Sequence, residues 1–280
     1  MLNNKLFSLA CCLVIASLLT AQSPWVREKK GYYAQVGYAT IPAYSELFPI
    51  ENGQKLYRAV SESTIQLYGE YGVSERLTAI LSAPFVMVGT GDSVLLPNLP
   101  TVTPAGSLSG FGNIDLGAKY KLSKVFPLSF NLIASLPTDS KNAATGLRTG
   151  YDAFGISPSV SVGLGTKRSF IYGNFGGTFR SNNFSTSTFA RLEGGYKFGD
   201  LYLILGLDVL NSQENGTATG ENVLTGLYVD KQSWVGFGLK LNYEIKKQYG
   251  ITLWGNGASS GNNVPKNPSI GLSIYTKSLD

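Results

Sequence analysis

The sequence predicts an all-β protein, a single antiparallel up-and-down transmembrane β-barrel of about twelve strands. Two observations predict it. Segments of roughly nine to thirteen residues alternate an apolar residue with a small or polar one, which gives each strand one apolar face and one polar face. Short and long connections also alternate along the chain, as they do in bacterial outer-membrane barrels.

The composition agrees with a surface that faces lipid. Charged residues make up 15% of the chain, whereas soluble domains average about 25%. Beyond the N-terminus no segment approaches the ~20 continuous apolar residues of a helical span, so the apolar surface is expected on strands. The net charge of +5 comes without a dense Lys/Arg cluster, which argues against nucleic acid as a partner.

The one continuous apolar run lies at the N-terminus. Lys5 precedes an apolar stretch over residues 6–19, and Ala21 offers a cleavage site. We expect residues 1–21 to be a secretory signal peptide and residues 22–280 to form the barrel. A lipid-attachment site at Cys11 and Cys12 is the alternative, although the apolar stretch before it is short. Cleavage after Ala21 removes both cysteines of the chain, and with them any disulfide or thiolate metal site.

In the first half of the chain the alternation marks six strands, separated by polar connections that contain glycine or proline. The clearest strand, 111–122, carries Asp115 and Lys119 on the face opposite its apolar residues. The six strands, with their outward residues, are 31–41 (Tyr32, Ala34, Val36, Tyr38), 63–71 (Ile65, Leu67, Tyr71), 77–86 (Leu77, Ala79, Leu81, Ala83, Phe85), 111–122 (Ile114, Leu116, Ala118, Tyr120, Leu122), 128–136 (Leu128, Phe130, Leu132, Ala134, Leu136) and 153–164 (Phe154, Ile156, Val160, Val162, Leu164).

The second half continues the pattern, and Gly199-Asp200 predicts a two-residue hairpin turn. For the strand 249–255 the sequence does not decide which residues face outward, because Trp254 competes with Ile251 and Leu253 for the lipid face. The strands are 170–180 (Ile171, Phe175, Phe179), 186–198 (Ala190, Leu192, Gly194, Tyr196, Phe198), 201–210 (Leu201, Leu203, Leu205, Leu207, Val209), 234–245 (Val235, Phe237, Leu239, Leu241, Tyr243, Ile245), 249–255 and 269–276.

These twelve strands form six hairpins, with five short turns on one side and six longer connections on the other. The alternation of short and long connections needs no frame shift, and the strand number is even, as a closed bacterial barrel requires. An open sheet is excluded in lipid because its edges would leave backbone groups without hydrogen bonds. A secreted β-sandwich is the rival fold, but it does not predict the regular split of connection lengths. The longer connections are 42–59, 87–110, 137–152, 181–185, 211–232 and 256–268.

The residue inventory argues against an enzyme. The chain has no histidine, which removes Ser/His and Cys/His catalysis and His-ligated metal sites. The segment GSLSG at 106–110 resembles a nucleophile elbow but has leucine where the nucleophile would stand. We therefore expect no catalytic site, no metal and no cofactor.

The polar faces carry five acids and five bases, which we expect to point into the lumen. They favour either a salt-bridged interior that braces the strands or a polar constriction that selects solutes. Eight-stranded barrels are filled by side chains and sixteen-stranded ones hold a channel, so twelve strands predict a narrow or partly plugged lumen. The ten residues are Glu70, Asp115, Lys119, Lys121, Arg191, Glu193, Lys197, Asp208, Lys240 and Glu244.

Several motifs resemble one known family. The segment GFGNIDLGAKYKL at 110–122 is similar to a recurring motif of the outer-membrane β-barrel family linked to the meta-pathway of phenol degradation. The segments GEYGVSERLT at 69–78 and LPT at 136–138, and the Gly199-Asp200 turn, also resemble it. Asn113 departs from the family, which often has an acidic residue there. The resemblance implies a transporter-like barrel in the cell outer membrane of a Gram-negative bacterium, surrounded by outer-membrane lipid.

Two functions remain open at this stage. The first is a channel for small solutes, with apolar or aromatic compounds as the class that the resemblance implies. The alternative is a non-transporting surface barrel, an adhesin or envelope-structural protein, whose long extracellular loops bind a partner. The sequence leaves open the solute, the oligomeric state, the role of the loops, and whether the lumen is open or plugged.

Overall fold

The structure, a computed structural model, describes residues 23–48, 55–95, 102–218 and 222–279. Within them twelve long antiparallel strands form one closed barrel, which confirms the predicted fold class. Closure is direct, because the first strand pairs with both the second and the last. The strands are β1 (Tyr32–Phe48), β2 (Lys55–Ser74), β3 (Leu77–Thr90), β4 in two parts (Gly106–Phe111 and Ile114–Lys121), β5 (Leu128–Leu136), β6 (Gly155–Gly165), β7 (Ser169–Arg180), β8 (Ser187–Phe198), β9 (Leu201–Ser212), β10 (Ser233–Ile245), β11 (Tyr249–Asn262) and β12 (Ser269–Lys277).

The connections divide the barrel into two ends. The end with the five short turns, where β1 begins and β12 finishes, is called the turn end here, and the opposite end the loop end. Short turns are periplasmic and long loops extracellular in bacterial barrels. The predicted Gly199-Asp200 turn is present between β8 and β9, and the positive φ of Gly199, 62°, suits a tight hairpin. The short turns are 75–76, 122–127, 166–168, 199–200 and 246–248.

Small elements lie within the longer connections. Lys141–Asn142 pairs with Leu147–Arg148, and Val94–Leu95 pairs with Val102–Thr103. A single helical turn, α1, spans Asn222–Thr225. In the part of the chain that is described, no helix is long and apolar enough to span a membrane. The signal peptide expected over residues 1–21 lies outside the described residues and stays a prediction.

The outward face of the barrel is apolar. On β12, Ile270, Leu272 and Ile274 are 53%, 50% and 59% exposed, whereas the intervening Ser273 is 3% exposed. Such a face is stable only against lipid, so it forms the apolar band of an outer-membrane barrel. Five outward tyrosines near the turn end form a belt suited to the membrane interface, namely Tyr32, Tyr71, Tyr120, Tyr196 and Tyr243.

Several strands continue past their predicted ends at the loop end. β1 and β2 take up most of the predicted loop 42–59, and β3 and the first part of β4 extend into the predicted loop 87–110. β11 reaches Asn262 rather than ending at 255. Beyond the lipid band the outward face need not be apolar, so the alternation fades although backbone pairing continues.

The strand pairing is irregular at several places along the barrel. β1 and β2 shift register between Ile41 and Tyr44, around Pro42, and again before Glu46. Proline has no N–H to donate, so a bulge at this position leaves the ladder intact on either side. The predicted strand 111–122 is interrupted at residues 112–113, and β10 and β11 shift at Val235.

Candidate functional site

The ten charged residues predicted for the lumen lie on the inner face, where most are paired with each other. Lys119 Nζ is 3.1 Å from Glu70 Oε1, and Arg191 Nε is 2.9 Å from Asp208 Oδ1. Lys240 pairs with Glu193, and Lys197 pairs with Glu244, which also accepts Lys277 Nζ at 2.7 Å. Asp115 accepts a 2.6 Å hydrogen bond from Ser135, and Lys121 is half-buried near the turn end. Their role in a solute path stays a prediction.

These ion pairs join strands that are not always neighbours. Lys240 on β10 reaches Glu193 on β8 across β9, where Gly206 lies opposite Glu193 and Ile204 lies opposite Lys240. Lys197 reaches Glu244 across the same strand, with its ammonium 4.7 Å from the ring of Tyr202. Pairs of this kind tie three strands together, which favours the bracing interpretation for this part of the wall.

A segment preceding β1 lies inside the turn end of the lumen. This N-terminal segment, residues 23–31, passes along the inner wall from β2 to β7. Arg27 N donates to Thr78 Oγ1 at 2.8 Å. The Trp25 ring lies edge-on to Phe170 and Tyr172, with centroid distances of 6.1 and 5.9 Å. Pro24 is fully buried. The segment therefore spans much of the turn-end mouth.

One carboxylate anchors the N-terminal segment electrostatically. Glu70 on β2 holds Arg27 through Oε2 at 2.6 Å and Lys119 through Oε1. Lys119 also donates to the backbone oxygen of Trp25 at 3.3 Å. The Lys119 side chain is 0% exposed. A buried lysine is stable only with charged or polar partners, so the segment and this ion-pair cluster depend on each other.

At the loop end an apolar cluster packs across part of the lumen. It joins the extended parts of β1, β2 and β3 to Leu147 and Leu227 of the longer loops. Arg58, which is 2% exposed, donates to backbone oxygens of three loops: Pro104 at 3.1 Å, Leu224 at 3.5 Å, and Thr145. We call this assembly the loop-end cap. Its strand residues are Ile41, Tyr44, Leu47, Leu56, Val60 and Val88.

Among the described residues, three adjoining cavities lie between the N-terminal segment and the loop-end cap. The turn-side cavity, of about 260 Å³, is lined by Arg27, Glu70, Glu193, Lys240 and Trp254 among others. The central cavity has a similar volume of about 260 Å³ and shares Gln66 with it. The loop-side cavity, of about 230 Å³, lies beneath the cap. Together they form a row of chambers along the barrel axis.

The wall shared by the central and loop-side cavities is aromatic and polar. Both cavities are lined by Ile41, Glu62, Tyr151, Arg180 and Tyr228. The Arg180 guanidinium lies 4.2 Å from the centre of the Tyr151 ring, a cation–π distance. Burial, and then the nearby Glu62 carboxyl, hold the pKa of Tyr228 well above its usual range. The Tyr228 hydroxyl therefore stays protonated at neutral pH and donates to Glu62.

The sequence did not reveal most of this shared wall. Glu62 lies one residue before the predicted strand 63–71, and extending the alternation of Thr64 and Gln66 by one step would have placed it inside. Tyr151 and Tyr228 lie in predicted loops, and nothing in the sequence signals that these loops fold into the barrel. The sequence did not decide whether Trp254 faces inward or outward. Its side chain is half-buried on the inner face, where Gly271 leaves space for the ring.

Comparison with known proteins identifies a family and several solved structures that this chain resembles. Residues 53–274 match the model of the family described as "Putative MetA-pathway of phenol degradation". A search of the curated proteins finds no match. Among solved structures, the COG4313 outer membrane channel from Pseudomonas putida F1 is similar with a TM-score of 0.65 and 17% identity, over 89% of this chain and 96% of that one.

Two further structures share the fold at lower similarity. The CymD monoaromatic hydrocarbon channel has a TM-score of 0.51 and 10% identity, over 90% of this chain and 89% of its own. The NanC porin has a TM-score of 0.50 and 9% identity, over 89% and 100%. At these identities the likeness establishes the outer-membrane barrel fold alone. The family match covers most of the chain, and the protein therefore belongs to the phenol-degradation family of outer-membrane β-barrels.

Proposed function

We propose that the protein is an outer-membrane channel for small apolar or aromatic solutes, closed at both ends in the described conformation. The observation that carries the proposal is the row of three cavities between the N-terminal segment and the loop-end cap. A barrel that served only as a scaffold would gain stability by filling this space, because voids in a protein interior cost packing energy.

The lining fits ring-shaped solutes better than strongly charged ones. Tyrosine side chains line all three cavities, tryptophan side chains line two of them, and most of the lumen charges are neutralised by a partner. The balance of signs argues against strong anion or cation selectivity. The similar fold of CymD, described as a monoaromatic hydrocarbon channel, supports the same solute class. Outer-membrane lipid is the expected surrounding of the apolar band.

An enzymatic function is not part of this proposal. The chain contains no histidine, and the buried carboxylates Glu70, Glu193 and Glu244 are each held by a basic side chain. Such pairing fixes both charges and opposes proton transfer. The similar solved structures are named as channels and porins.

Deletion of residues 23–30 tests the proposal. We expect the variant to take up single-ring aromatic compounds into proteoliposomes faster than the full chain, because the turn-end closure is gone. Its conductance in planar bilayers should rise as well. A Trp25→Phe variant is the matched control, since it keeps an aromatic ring between Phe170 and Tyr172 and should change uptake little. Gel mobility before and after heating verifies that each barrel is folded.

The outcome against the proposal is equally definite. If neither the full chain nor a folded variant that combines the deletion with Arg58→Ala, which loosens the loop-end cap, conducts ions or admits aromatic compounds, the barrel is not a channel. The alternative, a surface barrel whose loops bind a partner, would then be favoured.

A further inference from the structure

One carboxyl group in the wall between two cavities lacks the partners that the other inner carboxyls have. Glu62 on β2 is 7% exposed and lines both the central and the loop-side cavity. Its Oε1 accepts only long hydrogen bonds, at 3.4 Å each, from Tyr228 and Thr64. Its Oε2 has no hydrogen-bond partner among the described residues, and no ion pair reaches Glu62 within them. Buried carboxyl oxygens normally accept a hydrogen bond, so Glu62 Oε2 is expected to have a donor that the described residues do not supply.

The surroundings of Glu62 have room for a flat ring. Tyr151 and Tyr228 meet edge to face, with centroids 5.5 Å apart. Their hydroxyls are already used, by Gln232 at 2.6 Å and by Glu62, so the rings offer mainly apolar contact. The adjoining cavities measure about 260 and 230 Å³, whereas a cavity of about 150 Å³ is enough to hold benzene.

We propose that Glu62 is the recognition group of a binding site for neutral single-ring compounds that carry a hydroxyl or amino donor. The donor bonds the unpaired carboxyl oxygen, and the ring packs against Tyr151 and Tyr228. The terminal carboxyl torsion of glutamate is soft, so either oxygen can turn toward the cavities. The inference deepens the channel function proposed above and rests on it.

The same wall disfavours two other ligand classes. Arg180 lines both cavities, and its positive charge opposes a cationic ligand. A pure hydrocarbon would fill the space but leave the Glu62 oxygen without a hydrogen bond. Sites built to bond a donor reject analogues that lack it, because a buried polar group is then left unpaired. A ring that carries a donor packs against the aromatic side chains and also gives the carboxyl oxygen a hydrogen bond.

Fluorine NMR with two matched probes tests the inference. 4-Fluorophenol and 4-fluorotoluene have the same fluorinated ring and differ in a hydroxyl against a methyl group. We expect the full chain in detergent micelles to bind 4-fluorophenol at least tenfold more tightly than 4-fluorotoluene, after subtraction of partitioning into protein-free micelles. Glu62→Leu should abolish that preference by weakening 4-fluorophenol binding alone. Glu62→Gln, which keeps an acceptor oxygen, should retain part of it.

The controls separate this site from the rest of the lumen. Asp115→Asn changes another carboxyl of the central cavity, one that already accepts a hydrogen bond from Ser135. This change should leave the preference for 4-fluorophenol intact. Glu62→Leu is expected to fold, because the carboxyl accepts only two long hydrogen bonds and its replacement by an apolar group removes a desolvation cost. Equal binding of both probes, or an unchanged preference in the folded Glu62→Leu variant, would overturn the inference. Aromatic uptake by the deletion variant would still stand in that case, so the channel function is judged separately.

Discussion

At the scale of single residues, the lumen shows how buried charges are kept stable inside a membrane barrel. Lys119 is 0% exposed, and its ammonium reaches Glu70 and the backbone oxygen of Trp25. Glu70 in turn holds Arg27. Loss of one member of such a cluster costs more than the pair itself contributes, because the remaining charge stays buried without its partner.

Lys119→Met should therefore destabilise the barrel. We expect a loss of about 3 kcal/mol, the lower end for a broken buried ion pair, because Arg27 still neutralises Glu70. Urea unfolding in lipid vesicles measures the change. Lys121→Met, two residues along the same strand and only half-buried, is the control and should stay within about 0.5 kcal/mol of the parent. Equal losses in the two variants would show that the Glu70 cluster does not brace the barrel.

The pairing of lumen charges was only partly predictable from sequence. Arg191 and Asp208 lie directly opposite each other across the Gly199-Asp200 turn, and a two-residue turn fixes that register. Their 2.9 Å contact could thus have been derived. The contacts of Lys119 with Glu70 and of Lys240 with Glu193 cross an intervening strand. These contacts depend on the stagger between the strands and on the lengths of both side chains. The alternation of apolar and polar residues specifies neither.

At the scale of elements, β4 is interrupted between its two parts, and one side chain forms hydrogen bonds at the interruption. Its first part pairs only with β3 among the described residues. At the interruption, Asn113 Nδ2 donates to the backbone oxygens of Leu136 at 3.0 Å and Tyr151 at 2.8 Å, and Oδ1 accepts from Tyr151 N at 2.6 Å. A side-chain amide thus replaces ladder hydrogen bonds that a continuous strand would have made.

Asn113→Ala should lower the free energy of unfolding by about 1–3 kcal/mol, since buried backbone groups lose their partners. Asn113→Asp should also destabilise, although acidic residues are frequent there in the family that the motif resembles, because two carbonyl oxygens would face a carboxylate. Asn211→Ala, at an exposed position near the end of β9, is the control with little expected effect. Urea unfolding again provides the measurement, and a neutral Asn113→Ala would contradict this role.

The elements themselves were well predicted inside the lipid band and poorly beyond it. Within the band, burial of one face imposes a period of two, so the outward residues of β12 follow the sequence directly. Around Pro42 the pairing shifts register, the buried positions step from Ile41 to Tyr44, and beyond the lipid band the outward side of β1 need not be apolar. There the physical cause of the alternation is absent, and strand and loop look alike in sequence.

At the scale of the whole molecule, the proposed channel has two closures in series. The N-terminal segment lies at the turn end and the loop-end cap at the other, with the three cavities between them. A solute that crosses the barrel along its axis must pass both. Resistances in series add, so removing one closure leaves transport limited by the other.

This arrangement predicts a more than additive effect of opening both ends. Arg58→Ala removes the guanidinium that joins three loops of the cap, and it should raise aromatic uptake only modestly, as should deletion of residues 23–30. The combined variant should exceed the sum of the two increases, measured as initial uptake into proteoliposomes and as single-channel conductance. Tyr57→Ala, at the neighbouring outward position with 48% exposure, is the control for Arg58→Ala. An increase in the combined variant no larger than the sum would mean that the two ends do not lie on one path, and that the solute crosses the wall rather than the length of the barrel.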